Sequence, residues 1–121
     1  MKKILLVEDD PFLSLLLKNR LAKESYEVMH AHDGEEALEL LGMNSFDLIL
    51  LDIILPKKNG FETLEAIRQS PIFSSVRVII LSNLGQESDL ARGKSLGIID
   101  YWIKTENSID TLMAKIRNIL L

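Results

Sequence analysis

Short aliphatic runs alternate along this chain with stretches in which apolar residues return every three or four positions. Ile4-Leu5-Leu6-Val7, Leu48-Ile49-Leu50-Leu51 and Val78-Ile79-Ile80-Leu81 are unbroken by polar residues, the pattern of parallel strands covered on both faces. Glu27-Val28-Met29-His30 alternates instead, as an edge strand does. These patterns predict strands near residues 3–8, 27–31, 47–52, 76–82 and 98–103, and helices near 11–24, 34–43, 61–69, 86–96 and 107–120. In the first helix Leu13, Leu17 and Leu21 form a stripe, with Pro11 tolerated in the opening turn. Asp33 is placed to cap the second, with Glu36 at capping-box spacing, and Ile109, Leu112, Met113, Ile116 and Leu120 share one face of the last. The fourth helix has a thin apolar face, Leu90, Ala91 and Leu96, interrupted by Gly93 and ended by Gly97, and is expected to be the most mobile.

Strand–helix alternation implies a parallel sheet with helices on both faces and right-handed crossovers. The unbroken first and third strands belong in its middle, and the ligand crevice of such a sheet lies at the carboxyl ends of the strands. Four runs stop there at residues that bind cations or touch phosphoryl groups. The first ends at Glu8-Asp9, the third at Asp52, the fourth at Ser82, and Tyr101-Trp102-Ile103 at Lys104. Two acids, a third carboxylate, a hydroxyl and an ammonium in one crevice make a phosphoryl-transfer site.

With 121 residues, 47% of them hydrophobic, and no linker, charge block or repeat, one domain spanning 1–121 is expected. The absence of cysteine excludes disulfides and thiolate metal sites, leaving oxygen or histidine ligands for any cation. Lys2-Lys3 and the apolar run behind them meet Glu8-Asp9-Asp10 too soon for a signal peptide, and no run approaches the roughly 18 to 20 apolar residues that span a bilayer. A cytoplasmic protein without a membrane partner is expected. A net charge of −4 and the lack of a basic, aromatic-interleaved cluster argue against direct nucleic-acid binding.

The ordered set Ile4-Leu-Leu-Val-Glu8-Asp9-Asp10, Leu51-Asp52-Ile-Ile-Leu-Pro56, Asn59-Gly60, Ile80-Leu81-Ser82 and Tyr101-Trp-Ile-Lys104 resembles the receiver domain of bacterial two-component response regulators over the whole chain. The resemblance implies a doubly wound (βα)5 flavodoxin-like sandwich with strand order 2-1-3-4-5; that order comes with the resemblance, not from the pattern. It implies Asp52 as phosphoacceptor, Lys104 and Ser82 beside it in the chemistry, and Ser82 and Tyr101 as the switch pair. It also implies Mg²⁺, with Mn²⁺ an acceptable substitute, on Glu8 (through water), Asp9, Asp52 and the backbone carbonyl of Ile54. The expected partners are a sensor histidine kinase or histidine phosphotransfer protein, an effector or downstream protein, and, as a further arrangement, a phosphorylation-dependent homodimer. The output face is expected on the fourth helix, fifth strand and fifth helix.

Taken singly these residues have plainer readings. Asp10 reads as a helix cap, Ser82 as a turn former, Lys104 as a solvated edge charge, Tyr101 as an edge aromatic, Gly60 as backbone geometry, and His30 and His32 as structural or exposed. Two positions depart from the family pattern. Thr105 stands where proline usually follows the lysine in a cis peptide, so a trans bond or a strained cis bond is expected. Asn83 stands where a small residue is common, followed by Leu84, which with Ile54 is expected to flank the phosphoryl group and slow self-dephosphorylation. On the first helix Phe12, Leu15 and Asn19 lie opposite the leucine stripe, where the family docks its phosphodonor; neighbouring loops covering Phe12 is the competing reading. Three other functions compete: a phosphorylation-independent receiver-like interaction module, an aspartate-nucleophile phosphatase, and a nucleotide- or flavin-binding module, which should carry a glycine-rich loop after the first strand where Glu8-Asp9-Asp10-Pro11 stands. The phosphatase typically needs a second Asp where Ile54 stands, and the intact acid, Asp, Ser and Lys set argues against the inert module.

Overall fold

The computed structural model describes residues 1–121. Five strands alternate with five helices: β1 (Lys3–Val7), α1 (Pro11–Lys23), β2 (Glu27–Ala31), α2 (Gly34–Met43), β3 (Leu48–Leu51), α3 (Gly60–Gln69), β4 (Val78–Ser82), α4 (Glu87–Ser95), β5 (Asp100–Ile103) and α5 (Ile109–Ile119), with a 3₁₀ turn (Lys104–Glu106) ahead of the last helix. All strand pairings are parallel, in the order β2-β1-β3-β4-β5, so the fold is the expected flavodoxin-like sandwich.

The unbroken runs are explained by a core on each side of the sheet. Alternate residues of one strand point to opposite faces. Ile4, Leu6, Leu48, Leu50, Ile79 and Leu81 pack with Leu17 and Leu21 of α1 and Leu112, Met113 and Ile116 of α5. Leu5, Val7, Ile49, Leu51, Val78 and Ile80 pack against Ala37 and Leu41 of α2 and Phe61, Leu64 and Ile67 of α3. Central strands therefore have no position where a polar side chain could reach water.

Helix starts carry their expected caps. Asp10 accepts the amides of Phe12 and Leu13, the cap role expected of it. Asp33 accepts the Glu36 amide, but the reciprocal half of the box differs: the Glu36 carboxylate reaches the His32 amide. Asn59 and Glu62 complete a full capping box on α3, which begins at Gly60.

Several boundaries fall inside the predicted ones. β4 begins at Val78 because the Val76 carbonyl accepts from the Arg68 guanidinium. β5 begins at Asp100 because the amides of Leu96, Gly97 and Ile98 fold back onto the last turn of α4, with Gly97 at φ +73°. α5 begins at Ile109, where Ser108 caps the Thr111 amide.

The expected face of α4 is corrected in part: Leu96, just past the helix, packs against the core, but the other two members do not. Leu90 and Ala91 are exposed, and the one buried residue of the helix is Gly93. A Cβ there would press on the ends of Ile98 and Ile80, so the glycine is the contact itself and not an interruption of one. α4 is tied to α3 by Arg92, which lies 2.6 Å from Glu65 and over the Phe61 ring, and at its end by Arg68 of α3, which donates to the Leu96 and Gly97 carbonyls at 2.7 and 3.1 Å.

Candidate functional site

Parallel register brings the predicted site residues to one edge. Val7 pairs with Leu51, Leu51 with Ile80, and Ser82 with Ile103, so Glu8, Asp52, Ser82 and Lys104 all leave the sheet at the carboxyl ends of neighbouring strands. The Asp52 amide donates to the Val7 carbonyl at 3.1 Å and the Glu8 amide to the Ala31 carbonyl at 3.0 Å, which extends the ladder one step past the strands.

The centre is an ion-pair triad. The Lys104 ammonium lies 2.7 Å from Glu8 Oε1 and 2.7 Å from Asp52 Oδ2. The other Asp52 oxygen accepts the amides of Ile53 at 2.7 Å and Ile54 at 3.3 Å, and the second Glu8 oxygen accepts the Asp10 amide at 3.0 Å. Glu8 is 2% exposed and Asp52 5%. Burial raises the Glu8 pKa above the ordinary glutamate range and the Asp52 charge adds to the rise, while the Lys104 and Asp10 hydrogen bonds oppose it. For Lys104, burial alone would lower the pKa, but the hydrogen bonds and charges of Asp52 and Glu8 prevail and hold the ammonium above ordinary lysine.

Asp52→Asn should therefore lower the Glu8 pKa, because it removes a neighbouring negative charge and leaves Lys104 to Glu8. A carbon-13 NMR titration of the Glu8 carboxyl would read this. An unchanged or higher midpoint would mean that the Asp52 charge does not reach Glu8.

The remaining site residues stand outside the triad. Asp9 is exposed and makes no ion pair or side-chain hydrogen bond. Ser82 is fully buried, and its hydroxyl accepts the Leu84 amide at 3.4 Å, a long bond that is easily given up. The Tyr101 hydroxyl donates to the Leu84 carbonyl, and its pKa is pushed up to about 12 by burial and by the charges of Asp89 and Asp52. Ile54 and Leu84 are both solvent-exposed. The Lys104–Thr105 bond is trans, since the chain contains no cis peptide. Gly60 abuts the carbonyl of Asp52 and the Cα of Ile53, with its own amide 2.9 Å from the Ile53 carbonyl. It therefore seats α3 directly against the Asp52 loop.

His30, expected to be structural or exposed, has a structural role: its Nε2 lies 2.8 Å from the Glu8 carbonyl. The signal was available in the edge-strand register, which sets His30 beside Leu6, two positions before Glu8. His32 is exposed and pairs with Glu36 at 3.3 Å.

Helix α1 presents the expected apolar surface. Phe12 is 87% exposed and Leu15 58%, so no loop covers them. With Leu16 and Asn19 they line a groove of about 600 Å³ whose far wall is Asn83, Lys104 and Thr105.

The family model for the response regulator receiver domain matches residues 4–117. The chain belongs to the receiver domain family of two-component response regulators. This receiver is 49% identical over 120 residues to the transcriptional regulatory protein CpxR of Escherichia coli K12, a match covering 99% of this chain and 50% of CpxR. The chain thus spans about half the length of such curated relatives. Its fold superposes on the chemotaxis protein CheY4 of Vibrio cholerae with a TM-score of 0.89 at 27% identity, covering 98% of both chains. A Mn²⁺-bound response regulator, Rcp1, superposes with a TM-score of 0.82 at 32% identity, covering 94% of this chain and 88% of that one. No helix of this receiver is long and apolar enough to cross a membrane.

A divalent cation fits the donors present. Glu8, Asp9 and Asp52 supply three carboxylates against one nearby ammonium, all the donors are hard oxygens, and Glu8 already resists carrying its charge. No three acidic or histidine side chains lie close enough together to hold a metal ion by themselves, so a cation here would use one or two of these carboxylates and keep several of its waters.

Proposed function

We propose that this receiver is a phosphorylation-driven switch with Asp52 as phosphoacceptor. The observation that carries this reading is the Asp52 carboxylate itself, buried at the sheet's carboxyl edge with one oxygen on Lys104 and the other on two backbone amides. An Asp52 oxygen attacks the phosphorus of a phosphohistidine on a sensor histidine kinase or phosphotransfer protein. The new P–O bond forms as the P–N bond breaks, and the imidazole leaves with the electron pair. Rate in such a transfer comes from positioning and from cancelling charge on the equatorial oxygens, and Lys104 lies 2.7 Å from the attacking carboxylate. Glu8, Asp9, Asp52 and the Ile54 carbonyl would hold Mg²⁺ or Mn²⁺, which when bound neutralises phosphoryl charge; the Mn²⁺-bound Rcp1 supports this assignment.

The donor protein docks in the groove on α1, where exposed Phe12 and Leu15 adjoin the wall carrying Lys104. Ser82 then turns its hydroxyl from the Leu84 amide to a phosphoryl oxygen, and Tyr101, tied to the Leu84 carbonyl, carries the loop's movement to the α4-β5-α5 face. The chemistry is self-directed, so the domain acts as a switch and not as an enzyme on a diffusible substrate. We infer a transcriptional effector for that face, from the curated relatives' identity as transcriptional regulatory proteins, with receiver pairing as its companion event.

Incubation with acetyl phosphate tests the reading. Intact mass should show a single phosphoryl adduct with Mg²⁺ and none after chelation, and peptide mapping should place it on Asp52. An adduct indifferent to metal, or one mapped elsewhere, would overturn it.

A further inference from the structure

We propose that Asn83 is a positioning residue that straps the Ser82 loop to the Lys104 turn, so that the two groups flanking Asp52 move as one unit. The proposal rests on Asp52 being the phosphoacceptor.

Pairing between β4 and β5 ends at Ser82 and Ile103. One residue further on, the Asn83 side-chain oxygen accepts the Thr105 amide at 3.1 Å, so a side chain continues the cross-link where the backbone ladder stops. The Thr105 amide needs such a partner, because the first N–H groups of a helical turn have none within it. The same turn is gripped from its other side: Asn107 donates to the Ile103 carbonyl at 2.8 Å, its backbone amide points back to the Lys104 carbonyl, and its own oxygen accepts from Lys115 of α5 at 2.7 Å.

The two grips differ in what they anchor. Asn107 ties the turn to α5, whose Leu112, Met113 and Ile116 are buried in the core. Asn83 ties it to a loop that is otherwise loosely held, because Asn83 through Ser88 are exposed and α4 beyond them buries only Gly93. That loop has two links to the β5 region, the Asn83 bond to Thr105 and the Leu84 carbonyl's bond to Tyr101. Ser82 must give up the Leu84 amide to reach a phosphoryl oxygen, and the strap then decides whether its loop travels with Lys104 or independently of it. Two donors held in fixed relation lose less freedom on reaching one phosphoryl group than two mobile ones.

The test uses the full chain, and Asn83 is an exposed residue outside both cores. Asn83→Ala should lower the saturating rate of phosphorylation by acetyl phosphate about three- to tenfold, the worth of one neutral hydrogen bond, with little change in the half-saturating donor concentration. Amide exchange of Thr105 followed by NMR should quicken in Asn83→Ala. Protection should persist in Asn83→Asp, which keeps an acceptor oxygen, and in Thr105→Ala, which keeps the amide. A wild type that never takes up phosphate would sink the Asp52 reading, while the exchange experiment would still decide whether the strap exists. A wild type that phosphorylates normally beside an Asn83→Ala variant of equal or greater rate, or with unchanged Thr105 exchange, would sink the strap alone.

Discussion

Asp52→Asn should abolish phosphoryl uptake and Lys104→Met should slow it sharply, and only the lysine substitution should carry a large cost in stability. Asp52→Asn keeps a side chain of nearly the same shape, and its amide oxygen can still accept from Ile53. It removes the nucleophile, so no adduct should form in the time that saturates the wild type. Lys104→Met keeps the nucleophile and removes the charge 2.7 Å from it. Losing one such preorganised electrostatic partner slows a reaction by roughly 10²- to 10³-fold. Lys104→Met also strips the partner from two buried carboxylates. Breaking a buried pair from one side costs about 3–5 kcal/mol, and the 17% exposure of the lysine side chain points to the lower end. That loss depends on pH. The Glu8 pKa is already raised in the folded state, and without Lys104 it rises further. A raised acid contributes stability that is fully present below its unfolded pKa and lost as pH rises through the folded one. The variant should therefore approach wild-type stability in mild acid and fall away toward neutrality. Urea midpoints measured across that window check the sign; a deficit independent of pH would place its origin in packing.

What could be read from the sequence, and what could not, divides along one physical line. The two-sided core was legible because buried parallel strands admit no polar residue. The triad was legible because each run stops at the residue that enters the crevice, so Glu8, Asp52 and Lys104 meet wherever the strands are neighbours. Asp9 belongs to the same motif, yet the structure leaves it exposed and unpaired, because motif spacing says which backbone positions adjoin and not which side chains turn inward. Helix α4 was misread for a related reason. Periodicity weighs side-chain hydrophobicity, but this helix packs through the absence of a side chain at Gly93, leaving Leu90 and Ala91 in solvent. The Asn83–Thr105 link was invisible as well, since its donor is a backbone amide 22 positions from its acceptor. Hydrophobic pattern finds what is buried. It is silent on polar contacts between loops, and in this domain those contacts adjoin the chemistry.

Two glycines should respond in opposite directions to the same added methyl group. A Cβ on Gly60 would run into the Asp52 carbonyl and the Cα of Ile53, which are backbone atoms of the loop that holds the phosphoacceptor. A side-chain tip could swing away, but this loop is fixed: its Ile53 carbonyl bonds the Gly60 amide at 2.9 Å, and the Asp52 amide bonds β1 at 3.1 Å. Gly60→Ala must therefore push α3 and the Asp52 loop apart. Overpacking of this kind typically costs about 1–3 kcal/mol, and a backbone obstacle places it at the upper end. For a domain of this size that corresponds to a melting temperature lower by roughly 10 °C. Phosphorylation should slow with it, because the peptide units whose amides donate to the Asp52 carboxylate and orient it are the ones displaced. Gly42 supplies the internal comparison. It is exposed on α2, and a Cβ there would meet nothing within 4 Å. Gly42→Ala should gain up to about 1 kcal/mol of helix propensity and leave the phosphoryl adduct untouched. Thermal melts and acetyl-phosphate time courses of the two variants test the claim together. If both substitutions move stability in the same direction, the close seating of α3 against Asp52 is not what makes Gly60 glycine.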